Sequence, residues 1–129
     1  CKTVAHGKAI QNLAESLGMV VPFISGKHSA ENRQAAVERL RTESGVLICT
    51  TIFDEGIDIP ELQSLILAAG GKSRGRGLQR IGRGLRKAAD KTDLIVVDFY
   101  DETGILKTHS DVRRKLWRDQ GYEVEMIDA

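Results

Sequence analysis

An α/β fold built on an open parallel sheet, with helices on both faces, is the architecture that this sequence predicts. Apolar runs of strand length alternate along the chain with longer segments whose apolar residues recur every three to four positions. Strands that are apolar throughout are typical of a parallel sheet covered on both sides. The 129 residues are predicted to form one domain, which is large enough to bury a core without disulfides or metal.

The first half of the chain predicts two helices, over residues 4–17 and from the N-cap Ser29 to about Arg41, and two buried strands, over residues 20–25 and 46–50. Apolar spacing of i, i+3, i+4 and i+7 sets the expected inward face of the first helix: Ile10, Leu13, Ala14 and Leu17. The expected inward residues of the second helix are Ala36, Val37 and Leu40.

The second half predicts further strands and helices in alternation. In chain order these are a brief helix starting at Pro60, a strand over 64–69, a glycine-rich basic loop over 70–77, a short helix over 79–86, a strand over 93–99, a helix near 103–120 and an edge strand over 122–127. The helix near 103–120 carries an apolar stripe that is expected to face the core, with His109 on it as a structural residue: Ile105, His109, Val112 and Leu116.

The two cysteines suit neither a disulfide framework nor a metal site, and no metal site is expected. Cys49 lies in an apolar run and is predicted to be a buried thiol. The absence of a disulfide framework favours a cytoplasmic, intracellular setting. No membrane-spanning or signal segment is evident, so no membrane partner is expected. The chain lacks an initiating methionine, and its first helix has no strand before it. A fragment of a longer protein, with its first strand truncated, is therefore expected.

The most informative segment is residues 79–86, Gln-Arg-Ile-Gly-Arg-Gly-Leu-Arg. Gln79, Arg83 and Arg86 are spaced i, i+4 and i+7, so they share one helical face. Two arginines one turn apart repel each other unless an anion lies between them. The two glycines of the segment each cost about 1 kcal/mol relative to alanine within a helix, and close approach of the backbone to a ligand is a common reason for them. This face therefore predicts a polyphosphate site.

Charge along the chain is localised. The whole chain has a net charge of +1. Residues 72–91 contain eight basic residues and one acidic residue, whereas the rest contains 11 basic and 17 acidic residues. A basic segment on an acidic body favours a local anion site. A merely solvated charged face is the alternative.

A second polar segment, over residues 49–60, leaves the carboxyl end of a strand, where ligands bind in open α/β sheets. Thr50 and Thr51 offer hydroxyl and backbone N–H groups that suit phosphate oxygens. Gly56 permits tight backbone geometry, and Asp58 could accept a hydrogen bond from a ribose hydroxyl. The alternative is that the acidic residues of this segment only cap and solvate a loop.

Two segments imitate a phosphate-binding loop without meeting its requirements. Residues 70–73, Gly-Gly-Lys-Ser, end like a Walker A motif, but Ile66 occupies the place of its first glycine and the loop continues after the serine instead of starting a helix. Residues 26–29 fail because Val21 holds that place. No supported Ser/His/Asp or Cys/His arrangement occurs. A small phosphotransferase with its own nucleotide pocket is therefore disfavoured.

In this order the segments resemble the C-terminal RecA-like domain of superfamily-two (DEAD/DEAH-like) helicases and translocases. Residues 50–60 are similar to motif V and residues 79–86 to motif VI. Residues 23–33 resemble the region between motifs IV and V, and Cys1-Lys2-Thr3 resembles the end of motif IV. The resemblance spans roughly residues 1–100 and implies a RecA-like sheet. The tail, from residue 98 to 122, resembles DEAH-like helicases of phage and bacterial repair or restriction systems.

The resemblance implies roles at the nucleotide. Arg83 and Arg86 would act as arginine fingers on the γ-phosphate of ATP, and Gln79 would couple the nucleotide to the partner domain. Gly56 and Asp58 would border the nucleotide. ATP and its Mg²⁺ would be bound mainly by an N-terminal RecA-like domain that this sequence lacks, so the chain alone would be inactive as an ATPase.

The resemblance also implies a grip on the backbone of DNA or RNA, with DNA slightly favoured, through Lys2, Thr3, Gly26, Thr50 and Thr51. The implied function is the second motor domain of an ATP-dependent helicase or translocase. The alternative is a RecA-like module that binds nucleic acid or protein without a motor role.

Overall fold

The computed structural model describes residues 1–43, 45–50, 59, 62–68 and 94–128. Three predicted elements lie outside these residues: the brief helix at Pro60, the basic loop over 70–77 and the short helix over 79–86.

The first two described helices begin at side-chain caps. Helix α1 spans Val4–Ser16, and the hydroxyl of Thr3 accepts a hydrogen bond from His6 N at 3.2 Å. Helix α2 spans Ala30–Thr42, and Ser29 accepts from Asn32 N at 3.2 Å. An N-cap hydroxyl satisfies one of the backbone donors left open at a helix start. The predicted cap Ser29 is therefore confirmed.

Four parallel strands form two pairs among the described residues. Strand β1 (Phe23–Ile24) pairs with β2 (Ile48–Cys49), and β3 (Ser64–Leu67) pairs with β4 (Ile95–Asp98). All four lie within predicted strands, although β1 and β2 are shorter than the runs 20–25 and 46–50. Cys49, predicted to be buried, is only half-buried at the end of β2.

A third helix, α3 (Gly104–Asp119), packs its Trp117 against Leu67 of β3. The ring of Tyr122 meets that of Trp117 edge to face, with centroids 5.5 Å apart. Around the two buried residues Leu67 and Trp117 lie four partly buried ones: Leu65, Val96, Tyr122 and Val124. The predicted edge strand over 122–127 is wrong, because this tail carries no strand pairing and covers the core as irregular chain.

The inward face of α1 agrees with the prediction only in part. Leu13 and Leu17 are 62% and 72% exposed, whereas Gly7 is buried. A Cβ added at Gly7 would overlap the ring of Phe23, lying 2.8 Å from its Cζ. The helix therefore rests on β1 through a glycine. Of the predicted inward residues, Ile10 and Ala14 are half-buried, whereas Leu13 and Leu17 lie outside. In α2 the predicted face is confirmed, since Val37 is buried with Ala36 and Leu40 half-buried beside it.

The inward face of α3 also differs from the prediction. Ile105 is 74% exposed and Val112 is 40% exposed, whereas the helix buries Ser110, Arg113 and Trp117. His109 and Leu116, the other two residues of the predicted stripe, are half-buried. The reason is a buried ion pair, described below, which turns a polar face inward.

No helix among the described residues combines the length and the apolar character needed to cross a membrane.

Candidate functional site

The carboxyl ends of β1 and β2 form one edge, which brings together two of the predicted nucleic-acid-binding residues. Ile24 is in register with Cys49, and Thr50 N donates to Ile24 O at 3.2 Å, so pairing continues to the last described residue after β2. Gly26 follows two residues beyond Ile24 and is exposed, and Thr50 is half-buried. Parallel strands end at the same edge of their sheet, which explains the convergence.

The N-terminal segment joins the same edge. Cys1 Sγ donates to Cys49 O at 3.0 Å, so Lys2 and Thr3 follow directly from a residue that contacts the end of β2. Both side chains are exposed. The structure thus places Lys2, Thr3, Gly26 and Thr50 at one edge. We name the four residues together the β1–β2 edge.

Both neighbouring helices begin at the β1–β2 edge. Helix α1 starts immediately after Thr3, and α2 starts four residues after Gly26. A helix N-terminus carries open backbone N–H groups and about half a positive charge, which attract anions. The hydroxyl of Thr3 already accepts from His6 N, but a hydroxyl also has a proton to donate. Thr3 can therefore cap α1 and donate to an anion with the same group.

The loop after β1 is closed by hydrogen bonds that sequence reasoning missed. Ser25, 2% exposed, donates from its backbone N to His28 Nδ1 at 3.0 Å, and its hydroxyl lies 3.2 Å from the same atom. His28 N donates to Ser25 O at 3.0 Å, and Lys27 N lies 3.4 Å from Ser25 Oγ. The Ser-x-x-His spacing directly after an apolar run was the available signal.

The chemistry of the β1–β2 edge is that of an anion-binding surface. It offers an ammonium from Lys2, hydroxyls from Thr3 and Thr50, and an exposed glycine backbone at Gly26. Lys27, in the same loop, adds a second exposed cation. Groups of this kind contact phosphates and carry no information about base sequence.

The remaining predicted site residues are not part of this geometry. Thr51, predicted to contact nucleic acid, lies outside the described residues. So do the residues predicted to act at the nucleotide, which are Gly56, Asp58, Gln79, Arg83 and Arg86.

A second polar cluster, unforeseen from the sequence, ties α3 to the end of β4. Arg113 donates from Nε to both oxygens of Asp98, at 3.2 and 2.8 Å, and from Nη2 to Phe99 O at 3.0 Å. Ser110 Oγ lies 3.2 Å from the same Nη2, and Trp117 Nε1 donates to Asp98 at 3.3 Å. The signal in the sequence was the i, i+3, i+7 spacing of Ser110, Arg113 and Trp117. The cluster fixes the helix and leaves little of Arg113 exposed to solvent for ligand binding.

A third cluster lies on the outer side of α3, around Asp111. Its carboxylate accepts from Tyr100 at 2.7 Å and from Lys107 at 2.8 Å, and Arg114 lies 3.3 Å away. The hydrogen bond from Lys107, followed by that from Tyr100, lowers the pKa of Asp111 from its ordinary value. The hydrogen bond to Asp111, followed by that involving Tyr100, raises the pKa of Lys107. The Lys107 and Arg114 cations are thus neutralised locally by the Asp111 carboxylate.

Within the ranges that the structure describes, no group of three or more His, Cys, Asp or Glu side chains could hold a metal ion. The groups at the β1–β2 edge, which are one lysine ammonium, two hydroxyls and a glycine backbone, also suit an anion better than a cation.

Comparison with known proteins agrees with the resemblance. Residues 1–88 match the model of the helicase conserved C-terminal domain. The chain is 35% identical over 98 residues to putative helicase 22 of Sulfolobus islandicus filamentous virus, which covers 75% of this chain and 18% of the relative. It is 34% identical over 116 residues to the ATP-dependent DNA helicase uvsW of Enterobacteria phage T4, covering 88% and 23%.

A third relative is the putative DNA 3'-5' helicase Rad25 of Halobacterium salinarum, 36% identical over 121 residues, which covers 92% of this chain and 19% of the relative. The chain thus spans about a fifth of the length of each of these three relatives. The family match covers well over half of the chain and includes the whole β1–β2 edge. Together with the alternation of parallel strands and helices, these matches establish that the chain belongs to the family of superfamily-two helicase C-terminal domains, which have a RecA-like α/β fold.

Proposed function

We propose that this chain is the second motor domain of an ATP-dependent helicase or translocase that acts on DNA. The observation that carries the proposal is the β1–β2 edge, where Lys2, Thr3, Gly26 and Thr50 meet within the part of the chain that matches the helicase family. DNA is proposed rather than RNA because the matched relatives uvsW and Rad25 are named as DNA helicases.

The β1–β2 edge binds the strand through its phosphates. The Lys2 ammonium lies in solvent, where it can pair with a phosphate. The hydroxyl of Thr50 and the open N–H groups where α1 and α2 begin supply hydrogen bonds. Thr51, as the next residue after Thr50, is proposed to extend this row of contacts. Binding of this kind is independent of base sequence, as a protein that steps along a strand requires.

Nucleotide chemistry is assigned to residues outside the described ranges, on the strength of the family membership. Arg83 and Arg86 are proposed to stabilise the charge on the γ-phosphate of ATP bound at the interface with an N-terminal RecA-like domain. Gln79 is proposed to link the nucleotide to that domain, with Gly56 and Asp58 bordering the nucleotide. ATP and Mg²⁺ are proposed to be held mainly by the N-terminal domain.

Motion follows from this division of roles. ATP binding closes the cleft between the two domains, and hydrolysis opens it again. If each domain binds phosphates of the strand, the two phosphate-binding surfaces move relative to each other once per cycle. The β1–β2 edge is the grip that this chain contributes.

The test measures DNA binding and DNA-stimulated ATP hydrolysis in the intact protein with Lys2→Ala and Thr50→Ala. Loss of one hydrogen bond or exposed ion pair corresponds to about 1 kcal/mol, so each variant should weaken single-strand binding roughly three- to tenfold. The matched controls are Lys115→Ala and Thr108→Ala on α3, which should bind normally.

The same binding measurements with RNA decide between the two nucleic acids. If the intact protein binds RNA more tightly than DNA, RNA replaces DNA as the proposed substrate. Normal strand binding by Lys2→Ala and Thr50→Ala would overturn the proposal that the β1–β2 edge binds the strand. Strand binding without ATP turnover in the intact protein would favour a binding module over a motor.

A further inference from the structure

His28 is the least expected member of the loop that follows β1. Its Nδ1 receives the backbone N–H of Ser25 at 3.0 Å, so Nδ1 acts as an acceptor. A backbone bond from His28 N to Ser25 O at 3.0 Å closes the same turn from the other side. Both ends of the turn are thus tied, and Gly26 and Lys27 are held between them, exposed.

The ring of His28 is held in place by a second aromatic ring. It meets the ring of Phe23 edge to face, with centroids 6.4 Å apart and planes at 89°. Phe23 in turn fills the space that a side chain at Gly7 of α1 would need. The loop on one side of the β1–β2 edge is therefore braced against the helix that begins on the other side, next to Lys2 and Thr3. His28 connects the two, because its ring contacts both Ser25 of the loop and Phe23.

We infer that His28 is a positioning residue for strand binding, which holds the Ser25–His28 turn in the shape that presents Gly26 and Lys27 to a phosphate of the strand. This inference rests on the proposed function of the β1–β2 edge. Without the Nδ1 acceptor, the buried N–H of Ser25 loses its partner, and such a group is costly to leave unsatisfied. The turn then opens to satisfy that N–H, and the phosphate contacts are lost.

Two substitutions separate positioning from bulk structure. In His28→Asn the side-chain oxygen occupies about the place of Nδ1 and accepts from Ser25 N. In His28→Gln the amide reaches the place of Nε2 and leaves Nδ1 without a substitute. The inference predicts that the Asn variant binds a single strand within twofold of the unchanged protein, and that the Gln variant binds about fivefold more weakly.

The measurement uses the intact protein and a fluorescent oligonucleotide, together with the strand concentration that half-saturates ATP hydrolysis. That concentration should rise about fivefold in His28→Gln while the maximal rate stays within twofold. His109→Gln on α3 is the matched control and should change neither quantity. If the strand affinities of the Asn and Gln variants differ by less than threefold, the inference is overturned, whatever the absolute affinities are.

Failure of the inference is distinguishable from failure of the proposed function. If Thr50→Ala and Lys2→Ala weaken strand binding while the His28 variants are alike, only the role of His28 is wrong. If Thr50→Ala and Lys2→Ala bind normally, the grip itself is wrong and the inference falls with it.

Discussion

Arg113 lies 2% exposed on α3 and donates from Nε to both carboxylate oxygens of Asp98, at 3.2 and 2.8 Å, where β4 ends. A buried ion pair of this kind gains little net stability, because desolvation offsets most of the attraction. Its effect is on orientation. The pair requires the polar face of α3 to turn inward, and Trp117 follows onto Leu67.

Arg113→Ala should lower the free energy of unfolding by about 3 kcal/mol, because it leaves the Asp98 carboxylate and Phe99 O without their main donor. Chemical denaturation of the purified protein measures this. Lys115→Ala removes an exposed ion pair with Asp119 and serves as the control, with a change within about 0.5 kcal/mol.

The double variant Arg113→Met with Asp98→Leu should be more stable than either single variant, since no charge is left buried alone. If the single variant Arg113→Ala unfolded at the same denaturant concentration as the unchanged protein, the buried pair would not hold α3 in place.

Gly7→Ala should destabilise the fold by about 1–3 kcal/mol, because the added methyl group meets the Phe23 ring at the contact between α1 and β1. The thermal midpoint measures the loss. Gly45→Ala is the control, since a Cβ there meets nothing within 4 Å.

A second substitution gives the decisive comparison for Gly7. Phe23→Leu should be better tolerated on the Gly7→Ala background than on the unchanged one, because the smaller side chain relieves the overlap. Strictly additive losses would show that the methyl group and the ring do not compete for the same space.

The succession of elements was predictable from the sequence because it depends on local patterns. Ser29 caps α2 through its own hydroxyl, and Val37 lies on the one apolar stripe that α2 offers. The inward faces of α1 and α3 were not predictable in this way. Gly7 adds no apolar side chain to the pattern, and it faces inward because the Phe23 ring occupies the space where a side chain would lie. Arg113 reads as a solvent-exposed charge until Asp98, 15 residues earlier, is placed beside it.

The same division applies to the candidate site. That Gly26 and Thr50 share an edge follows from the rule that parallel strands end together, and the strand pairs make that rule applicable. The part played by His28 depends on a turn that brings its Nδ1 back to the N–H of Ser25, and no periodic pattern encodes such a turn. The arginines of residues 79–86 remain a prediction from sequence and family.

Acid should weaken the cluster around Asp111. The folded state lowers the pKa of Asp111 below its ordinary value of 3.8, chiefly through the hydrogen bond from Lys107. The unfolded chain therefore binds the proton first, and the contribution is present above pH 3.8 and lost as the pH falls through the folded value. In Asp111→Asn the thermal midpoint should depend less on pH below about 4. An unchanged acid dependence would mean that other carboxylates account for it.

High pH should also weaken the cluster around Asp111, through its partner Lys107. The hydrogen bond to Asp111 raises the pKa of Lys107 above its ordinary value of 10.5. Its contribution is therefore present below pH 10.5 and is lost as the pH rises through the folded value. Lys107→Met should flatten the alkaline limb of the stability profile. Lys115→Met, on the same helix, is the control for the loss of one lysine, and an equal flattening there would show that Lys107 has no special role.

Ile105→Asn and Val112→Asn should leave the free energy of unfolding within about 0.5 kcal/mol, although periodicity alone places both residues in the core. Both side chains are exposed, because Arg113 and Trp117 occupy the inward face of α3. Trp117→Ala, on that face, should cost about 3–5 kcal/mol, since it empties a site packed against Leu67. The comparison tests helix orientation directly. If the two Asn variants lost as much stability as Trp117→Ala, α3 would be rotated by about a third of a turn from the orientation that its ion pair requires.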